Sequence, residues 1–219
     1  MPAVQALVVL NGDTGDDAWL DTQAAAADLV IAADGAADAL LAAGCRPALV
    51  VGDLDSLRPA TLALLEEAGV PIERHPAEKD ATDGELALRA ALAHGATVIR
   101  VAGAFGGPRI DHSIAILTLL ALPALEQIDI ALITPTDTVR LVRGPATHRL
   151  TGSPGDIASL IPLSGRVSGV TTTGLRYPLT DATLERGPTI GTSNELVAPE
   201  GVITVGAGVL IVATHRAYH

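Results

Sequence analysis

The chain has 219 residues, with 25 acidic and 14 basic side chains and a formal net charge of -11. This length allows one large domain or two small ones, and the acidic balance argues against nucleic acid, whose phosphates require clustered Lys and Arg. Hydrophobic residues make up 48% of the chain, but no stretch reaches the roughly 18 consecutive apolar residues that a membrane helix needs.

Cys45 is the single cysteine of the sequence, so no internal disulfide can form. No basic segment followed by an apolar stretch marks the amino terminus as an export signal. We therefore expect a cytoplasmic protein that binds neither a membrane nor nucleic acid.

Apolar runs alternate with helix patterns over the first half of the chain. Strands are predicted at residues 3–10, 29–33, 48–51, 72–75, 97–102, 128–134 and 138–142, and helices at 36–43, 59–68, 86–93 and 113–121. Strands that alternate with helices in this way favour a parallel sheet with helices on its faces.

The helix patterns stop at about Gly144. Beyond it, short apolar or β-branched runs are separated by Gly, Pro, Ser and Asp, at residues 157–161, 167–172, 201–205 and 209–213. This spacing is typical of a small β-sandwich or barrel. We expect an α/β domain over residues 1–143 and a smaller all-β domain over residues 144–219.

Two carboxylates, Asp53 and Asp55, directly follow the third predicted strand. Neighbouring carboxylates repel each other unless a cation joins them, and their hard oxygen atoms suit Mg²⁺ with bound phosphates. A second interpretation is that Asp55 or Ser56 caps the helix predicted at 59–68. The stretch alone does not separate these two interpretations.

Other polar residues also follow predicted strands. They are Asn11, Asp34, Asp53 with Asp55, and the loop of Arg109 and Asp111. Because the carboxyl ends of parallel strands share one edge of a sheet, these residues are expected to meet over one crevice. Thr82 and Glu85 form a capping box, which leaves Asp80 and Asp83 without a structural explanation.

The sequence lacks the phosphate-binding loop Gly-x-x-x-x-Gly-Lys-Ser/Thr and the dinucleotide fingerprint Gly-x-Gly-x-x-Gly. It also lacks a serine in a nucleophile elbow. A glycine-rich turn at residues 103–107 precedes a predicted helix, where backbone N–H groups and Arg109 can face an anion. These features favour transfer of a phosphoryl-type group, in which positioning and charge neutralisation do most of the chemistry.

Several short motifs follow one another in a fixed order over nearly the whole chain. They are Asp34-Gly35, Gly52 to Leu57, Asp80-Ala81-Thr82-Asp83, Arg109-Ile110-Asp111-His112, Thr171 to Leu175, and Thr192-Ser193-Asn194-Glu195. Together they resemble the thiamine pyrophosphokinase (thiamine diphosphokinase) family. The resemblance implies a Rossmann-like catalytic domain, a β-sandwich that helps to bind thiamine, and a homodimer with active sites between subunits. It also implies that ATP and thiamine give thiamine diphosphate and AMP with Mg²⁺.

The resemblance also implies roles for single residues. The metal cluster would comprise Asp53, Asp55, Asp80, Asp83 and Asp111, of which all but Asp80 are also expected to be catalytic. The nucleotide would contact Asn11, Asp34, Gly35, Asp80, Thr82, Arg109 and His112. Thiamine would contact Ser193, Asn194 and Leu196, although Ser193 and Asn194 alone fit a polar turn equally well. Either Asp83 or Asp111 could accept the proton of the thiamine hydroxyl.

The chain departs from the family pattern at a few positions. They are Ala36, Asp38, Pro108, Ile116 and Leu196, the last of which stands where an aromatic residue often stacks on the substrate. Two further hypotheses therefore stay open at this point. One is a diphosphokinase of the same fold that acts on a pterin-type alcohol, and the other is a non-catalytic sensor of thiamine or nucleotide.

Overall fold

The computed structural model describes residues 3–76, 78 and 80–217. Its internal contacts divide the chain into two units, Met1–Pro135 (unit 1) and Thr136–His219 (unit 2). The boundary predicted between residues 143 and 144 lies one strand further along the chain, and the division into domains at that point stays a prediction.

Unit 1 alternates strands with helices, as its apolar pattern predicts. Its strands are β1 (Val4–Val9), β2 (Leu29–Ala33), β3 (Leu49–Gly52), β4 (Ile72–Arg74), β5 (Ala96–Ala102) and β6 (Asp129–Ile133). Its helices are α1 (Asp17–Ala25), α2 (Ala36–Ala42), α3 (Pro59–Glu67), α4 (Asp83–Ala93) and α5 (Ile110–Leu119), with a 3₁₀ turn at Pro123–Leu125.

The strands of unit 1 pair in the order β6-β5-β1-β2-β3-β4. Every neighbouring pair is parallel; Val8 of β1, for example, lies opposite Ile31 of β2 and Val101 of β5. The chain first builds the sheet outward from β1 to β4 and then returns to the other side of β1 to add β5. The order therefore reverses between β1 and β5, which is where open α/β sheets bind ligands.

Helices cover the sheet of unit 1. Leu7 and Val9 of β1 belong to one hydrophobic cluster with Leu20 of α1, Leu40 of α2 and Leu65 of α3. Since successive side chains of a strand point to opposite faces, the intervening residues of β1 face away from that cluster. Helix α4 contacts β1, β2, β3 and β5.

A thiol lies just past the end of α2. The sulfur atom of Cys45 is 3.3 Å from Oδ1 of Asp21 in α1. Burial and this hydrogen bond raise the pKa of the Cys45 thiol to about 11, because both disfavour the thiolate.

Unit 2 consists of antiparallel strands. They are β7 (Asp137–Arg143), β8 (Ala146–Thr151), β9 (Ile157–Pro162), β10 (Arg166–Thr173), β11 (Ala182–Glu185), β12 (Asn194–Glu195), β13 (Glu200–Val205) and β14 (Val209–His215). One set pairs in the order β12-β9-β14-β7 and the other in the order β11-β10-β13-β8.

The two sets of strands in unit 2 share one hydrophobic core. Leu160 of β9 and Leu210 of β14 belong to the same cluster as Leu150 of β8, Val170 of β10 and Ile203 of β13. Residues from both sheets thus face one another, as in a sandwich. This confirms the prediction of an α/β part followed by a β-sandwich.

Some helix ends differ from the predictions. The predicted N-caps of α3, Asp55 or Ser56, are wrong because Arg58 is the N-cap and no side chain caps that end. Helix α5 begins at Ile110, before the start predicted at residue 113, so that Asp111 lies inside its first turn and Arg109 is the N-cap. In contrast, Thr82 caps α4 and accepts a hydrogen bond from the backbone N–H of Glu85 at 3.2 Å, as the capping box predicts.

No helix within the described ranges is both long and apolar enough to cross a membrane.

Candidate active site

A cavity of about 820 Å³ lies in unit 1. Leu10, Asn11 and Gly12 line it from beyond the end of β1, and Gly103 and Ala104 line it from beyond the end of β5. The cavity is therefore at the point where the strand order reverses. Loops that follow β2 and β3 and the amino-terminal turns of α4 and α5 complete its wall.

Most of the residues predicted for the nucleotide and the metal line this cavity. They are Asn11, Asp34, Gly35, Asp53, Asp55, Asp80, Thr82, Asp83, Arg109 and His112. The structure thus brings together side chains from five loops, while their roles in binding stay predictions. Asp111 is not among the lining residues.

Three carboxylates of the cavity lie close enough together to hold one metal ion. Asp34, Asp53 and Asp83 each offer an oxygen atom, and these atoms are within 4.8 Å of one another. They come from the ends of β2 and β3 and from the first turn of α4. Asp34 was predicted to line the crevice, so its place among the carboxylates extends that prediction.

Asp34 is the most buried member of this group, with 4% of its surface exposed. Its Oδ2 atom accepts a hydrogen bond from the hydroxyl group of Ser56. Its Oδ1 atom is buried and has no hydrogen-bond partner among the residues that the structure describes. A buried carboxylate oxygen without a donor is costly, so a divalent cation fits this group of oxygen ligands.

Asp55 stands at the exposed side of the same group. The negative charge of Asp53 raises the pKa of Asp55 above its usual range, with smaller contributions from burial and from Asp34. The backbone N–H of Asp55 donates to Oδ1 of Asp53 at 3.2 Å, which keeps the two carboxylates on one tight loop. A bound cation would relieve this repulsion.

Arg109 and Asp111 pair with each other at the start of α5. Nε of Arg109 donates to Oδ1 of Asp111 at 2.9 Å, and a second guanidinium N–H donates to Oδ2. This fork lowers the pKa of Asp111 to about 2 and raises the pKa of Arg109. Both side chains are exposed, so the guanidinium can exchange this carboxylate for a phosphate of similar shape.

Two glycines let the loops after β1 and β5 touch. The backbone N–H of Gly12 donates to the carbonyl oxygen of Gly103 at 2.9 Å. A Cβ on Gly103 would lie 2.1 Å from the carbonyl oxygen of Leu10, and the φ of Gly103 is +71°. Only glycine therefore fits where the glycine-rich turn approaches β1.

The residues predicted to contact thiamine lie in unit 2. The side chain of Asn194 is committed to backbone groups: Oδ1 accepts from the N–H groups of Tyr177 and Glu195, and Nδ2 donates to the carbonyl oxygen of Tyr177 at 2.7 Å. Leu196 is 3% exposed and belongs to the hydrophobic core, whereas Ser193 is exposed. Their contact with thiamine stays a prediction.

The positions that depart from the family pattern have local partners. Oδ2 of Asp38 lies 3.0 Å from Nε of Arg58, Ala36 is buried, and Ile116 and Pro108 line the cavity. These contacts leave the acidic group intact.

Ser56 is the residue of the site that sequence reasoning missed, because it was considered only as a helix cap. Its hydroxyl group accepts hydrogen bonds from Nδ2 of Asn11 at 3.0 Å and from the backbone N–H of Gly35 at 3.1 Å. The sequence did contain a signal for this role. Ser56 directly follows the two carboxylates, and it precedes Arg58, the N-cap of α3, by two residues, so it does not cap that helix.

An acidic crevice at the strand reversal of a parallel sheet, in a chain that continues into a β-sandwich, is typical of an α/β enzyme that transfers phosphoryl-type groups. Residues 20–132 match the family model described as thiamin pyrophosphokinase, catalytic domain, and residues 147–210 match the one described as thiamin pyrophosphokinase, vitamin B1 binding domain. The chain belongs to the thiamine pyrophosphokinase family.

Similar proteins and solved structures support this assignment. Thiamine pyrophosphokinase of Bacillus subtilis (strain 168) is 32% identical over 173 residues, which cover 78% of this chain and 80% of the relative. The crystal structure of the Bacillus subtilis enzyme has a TM-score of 0.85 at 28% identity, covering 98% of this chain and 100% of that one. The thiamin pyrophosphokinase structure from Geobacillus thermodenitrificans has a TM-score of 0.83 at 29% identity, with 98% of each chain covered.

Proposed function

We propose that the acidic crevice of unit 1 binds ATP and Mg²⁺ during the reaction of this family, the formation of thiamine diphosphate by diphosphoryl transfer. The observation that carries this proposal is the group of three carboxylate oxygens within 4.8 Å of one another. An acidic group of this kind at the end of a parallel sheet attracts a divalent cation with its phosphates.

Asp34, Asp53 and Asp83 would hold the cation, with Asp55 and Asp80 on the same cavity wall. The cation would neutralise charge that develops on the phosphates. The cluster as proposed from sequence also contains Asp111, but the fork from Arg109 engages both oxygens of that carboxylate. We therefore assign Asp111 to the orientation of Arg109.

The amino terminus of α5 and the guanidinium of Arg109 would bind the phosphates. His112 and Ser113 of the first turn line the cavity beside Arg109. A helix amino terminus presents free N–H groups and a partial positive charge to an anion, and Arg adds a bidentate fork. Thr82 would contribute by capping α4, which fixes the neighbouring Asp83.

The oxygen of the thiamine hydroxyl would form a bond to the β-phosphorus of ATP. The bond from that phosphorus to the oxygen it shares with the α-phosphorus would break, and AMP would leave with that oxygen. The proton of the hydroxyl must pass to a base. Asp83 and Asp111 are the two acceptors considered from sequence. The pKa of Asp111 is lowered to about 2 while Arg109 pairs with it, so Asp111 can accept the proton only when Arg109 has turned to a phosphate.

For thiamine, Ser193 is the strongest candidate of the three residues in unit 2, since its side chain is exposed. Asn194 and Leu196 would hold the backbone next to Ser193 in place. Asn194 does so through hydrogen bonds to the backbone of Tyr177, and Leu196 through packing in the hydrophobic core. Replacing Ser193 by Ala should raise the KM for thiamine and leave the KM for ATP unchanged; the reverse pattern would remove Ser193 from the thiamine site.

The test of the proposed function is thiamine-dependent release of AMP from ATP by the purified protein, with Mg²⁺ and with EDTA. Changing Asp55 to Asn should lower turnover by about a hundredfold or more and leave the fold intact, because the phosphates lose a partner in charge neutralisation. Asp17→Asn, which removes an exposed charge in α1, is the matched control. Turnover of Asp55→Asn close to that of the wild type would exclude Asp55 from the site.

We also propose a homodimer with active sites between subunits, supported by the surface of α5. No residue of this apolar helix is buried, and Ile110 and Ile114 are 74% and 58% exposed. They lie one turn apart on the same face, where a second copy could cover them. Ile114→Glu should convert the dimer to a monomer in light scattering, whereas Leu64→Glu, at an exposed position of α3, should not. A monomeric wild type would contradict this proposal.

A cytoplasmic location is proposed because ATP, the co-substrate, is supplied there. Recovery of the native protein outside the cytoplasmic fraction of its own cells would contradict it.

A further inference from the structure

The hydroxyl group of Ser56 joins three loops of the cavity. Its Oγ atom is 3.0 Å from Nδ2 of Asn11, which follows β1, and 3.1 Å from the backbone nitrogen of Gly35, which follows β2. Its third partner is Oδ2 of Asp34. Ser56 itself belongs to the loop after β3, so one side chain connects the carboxyl ends of three adjacent strands.

The direction of these hydrogen bonds follows from the groups involved. Nδ2 of Asn11 and the backbone nitrogen of Gly35 are both donors, so they use the two lone pairs of the Ser56 oxygen. The single proton of the hydroxyl group is then left for Asp34, whose carboxylate oxygen accepts it.

The two carboxylate oxygens of Asp34 differ in their hydrogen bonding. Oδ2 is satisfied by Ser56, while Oδ1 is buried and has no hydrogen-bond partner among the described residues. The backbone of Asp34 has a φ of +50°, the left-handed region that aspartate tolerates better than most residues other than glycine.

Close packing also requires glycine at position 35, directly against Ser56. A Cβ on Gly35 would lie 2.6 Å from Oγ of Ser56 and 3.0 Å from its carbonyl oxygen. The loop after β3 therefore sits directly against the backbone that carries Asp34. A rotation of the Ser56 side chain would break three hydrogen bonds at once.

We propose that Ser56 is a positioning residue, which fixes the carboxylate of Asp34 so that Oδ1 alone is presented to the divalent cation. The inference rests on the proposed function, because it assumes that Asp34, Asp53 and Asp83 hold the cation. Residues that orient metal ligands typically change metal affinity by ten- to a hundredfold when they are removed.

Binding of Mn²⁺ without ATP tests this role separately from catalysis, since Mn²⁺ takes the same hard oxygen ligands as Mg²⁺. The free ion is followed by electron paramagnetic resonance in titrations of the wild type, Ser56→Ala and Ser164→Ala. Ser164 is the matched control, because its hydroxyl group also makes two hydrogen bonds, to Arg166 and Val209 in unit 2.

Ser56→Ala should bind Mn²⁺ at least tenfold more weakly than the wild type, with an unchanged circular dichroism spectrum, and Ser164→Ala should bind as the wild type does. Raising the Mg²⁺ concentration should recover most of the turnover of Ser56→Ala, which a misfolded protein would not allow. If Ser56→Ala does not fold, Ser56→Cys replaces it with the same expectation, because a thiol is a weak donor.

Equal Mn²⁺ affinity of the wild type and the Ser56 variant would overturn the role of Ser56 and leave the metal site in place. A wild type that binds no Mn²⁺ would instead overturn the metal site of the proposed function. The two failures are therefore distinct.

Discussion

At the scale of single residues, the ion pair with Arg109 determines the pH at which Asp111 titrates. In the folded chain the pKa of Asp111 is lowered to about 2, whereas an unperturbed aspartate titrates near pH 3.9, roughly. The carboxylate form is thus favoured by folding. Its stabilising contribution is fully present above the unfolded pKa and is lost as the pH falls through about 2.

The titration midpoints of Asp111 and Asp55, followed by NMR of their carboxyl carbons during acid titration, should therefore differ. The midpoint of Asp111 should lie near 2 and that of Asp55 above the usual range for aspartate. Arg109→Met should raise the midpoint of Asp111, because the guanidinium fork is the main cause of its shift. A midpoint of Asp111 that does not respond to Arg109→Met would contradict the ion pair.

Individual site residues were predictable where their position followed from the strand pattern. Asp34 and Asp53 directly follow predicted strands, so a parallel sheet brings them to one edge, whereas Asp83 was expected at the site only from the resemblance to the family. Ser56 could not be found in this way because its role depends on partners 45 and 21 residues away, Asn11 and Gly35. The hydrogen bonds of Asn194 could not be predicted either, because its partner Tyr177 is 17 residues away in the sequence.

At the scale of elements, the contact between the loops after β1 and β5 depends on a glycine. Gly103→Ala should lower the free energy of unfolding by about 3 kcal/mol or more, since it combines a positive φ with a severe clash. Gly95→Ala is the matched control: its φ is +82°, but nothing lies within 4 Å of the added Cβ. That variant should lose only about 1 kcal/mol, the cost of the left-handed conformation.

Urea denaturation of both variants measures the difference. If both variants lose the same free energy of unfolding, the loops after β1 and β5 can separate without cost. Glycine would then not be required where the turn after β5 approaches β1.

Elements with a strong apolar pattern were predictable, and weakly patterned ones were not. Helix α1 was missed because only Leu20 and Ala24 of its length are buried. Strand β8 buries Leu150 alone, and β12 consists of two residues that are defined by pairing with β9. Such strands exist because a partner strand satisfies their backbone, which the sequence of the element does not reveal.

At the scale of the whole molecule, the class of each unit followed from the sequence, but the order of the strands did not. Alternating elements predict a parallel sheet, yet the return of β5 to the far side of β1 is decided by packing of the complete unit. The second sheet of unit 2 likewise depends on β8 and β11, which were not predicted.

Ligand binding to the crevice should stabilise the chain as a whole. A ligand at a hundredfold excess over its Kd adds about 2.7 kcal/mol to the free energy of unfolding, which raises the Tm of a chain of this size by roughly 5–10 °C. We expect this increase with ATP and Mg²⁺ together and its loss on addition of EDTA.

Asp53→Asn should unfold at the wild-type temperature without ligand and gain little from ATP and Mg²⁺. An equal increase in Tm for Asp53→Asn and the wild type would place the bound ATP outside the acidic group.

The sheltered sulfur atom beside Asp21 has a practical consequence for work on this enzyme. Alkylating reagents attack the ionised form, and a group with a pKa of about 11 is ionised in roughly one molecule in ten thousand at pH 7. A cysteine introduced at an exposed position would accept a maleimide dye far faster than Cys45 does. A fluorescent conjugate can thus be prepared at such an introduced cysteine while Cys45 stays in place.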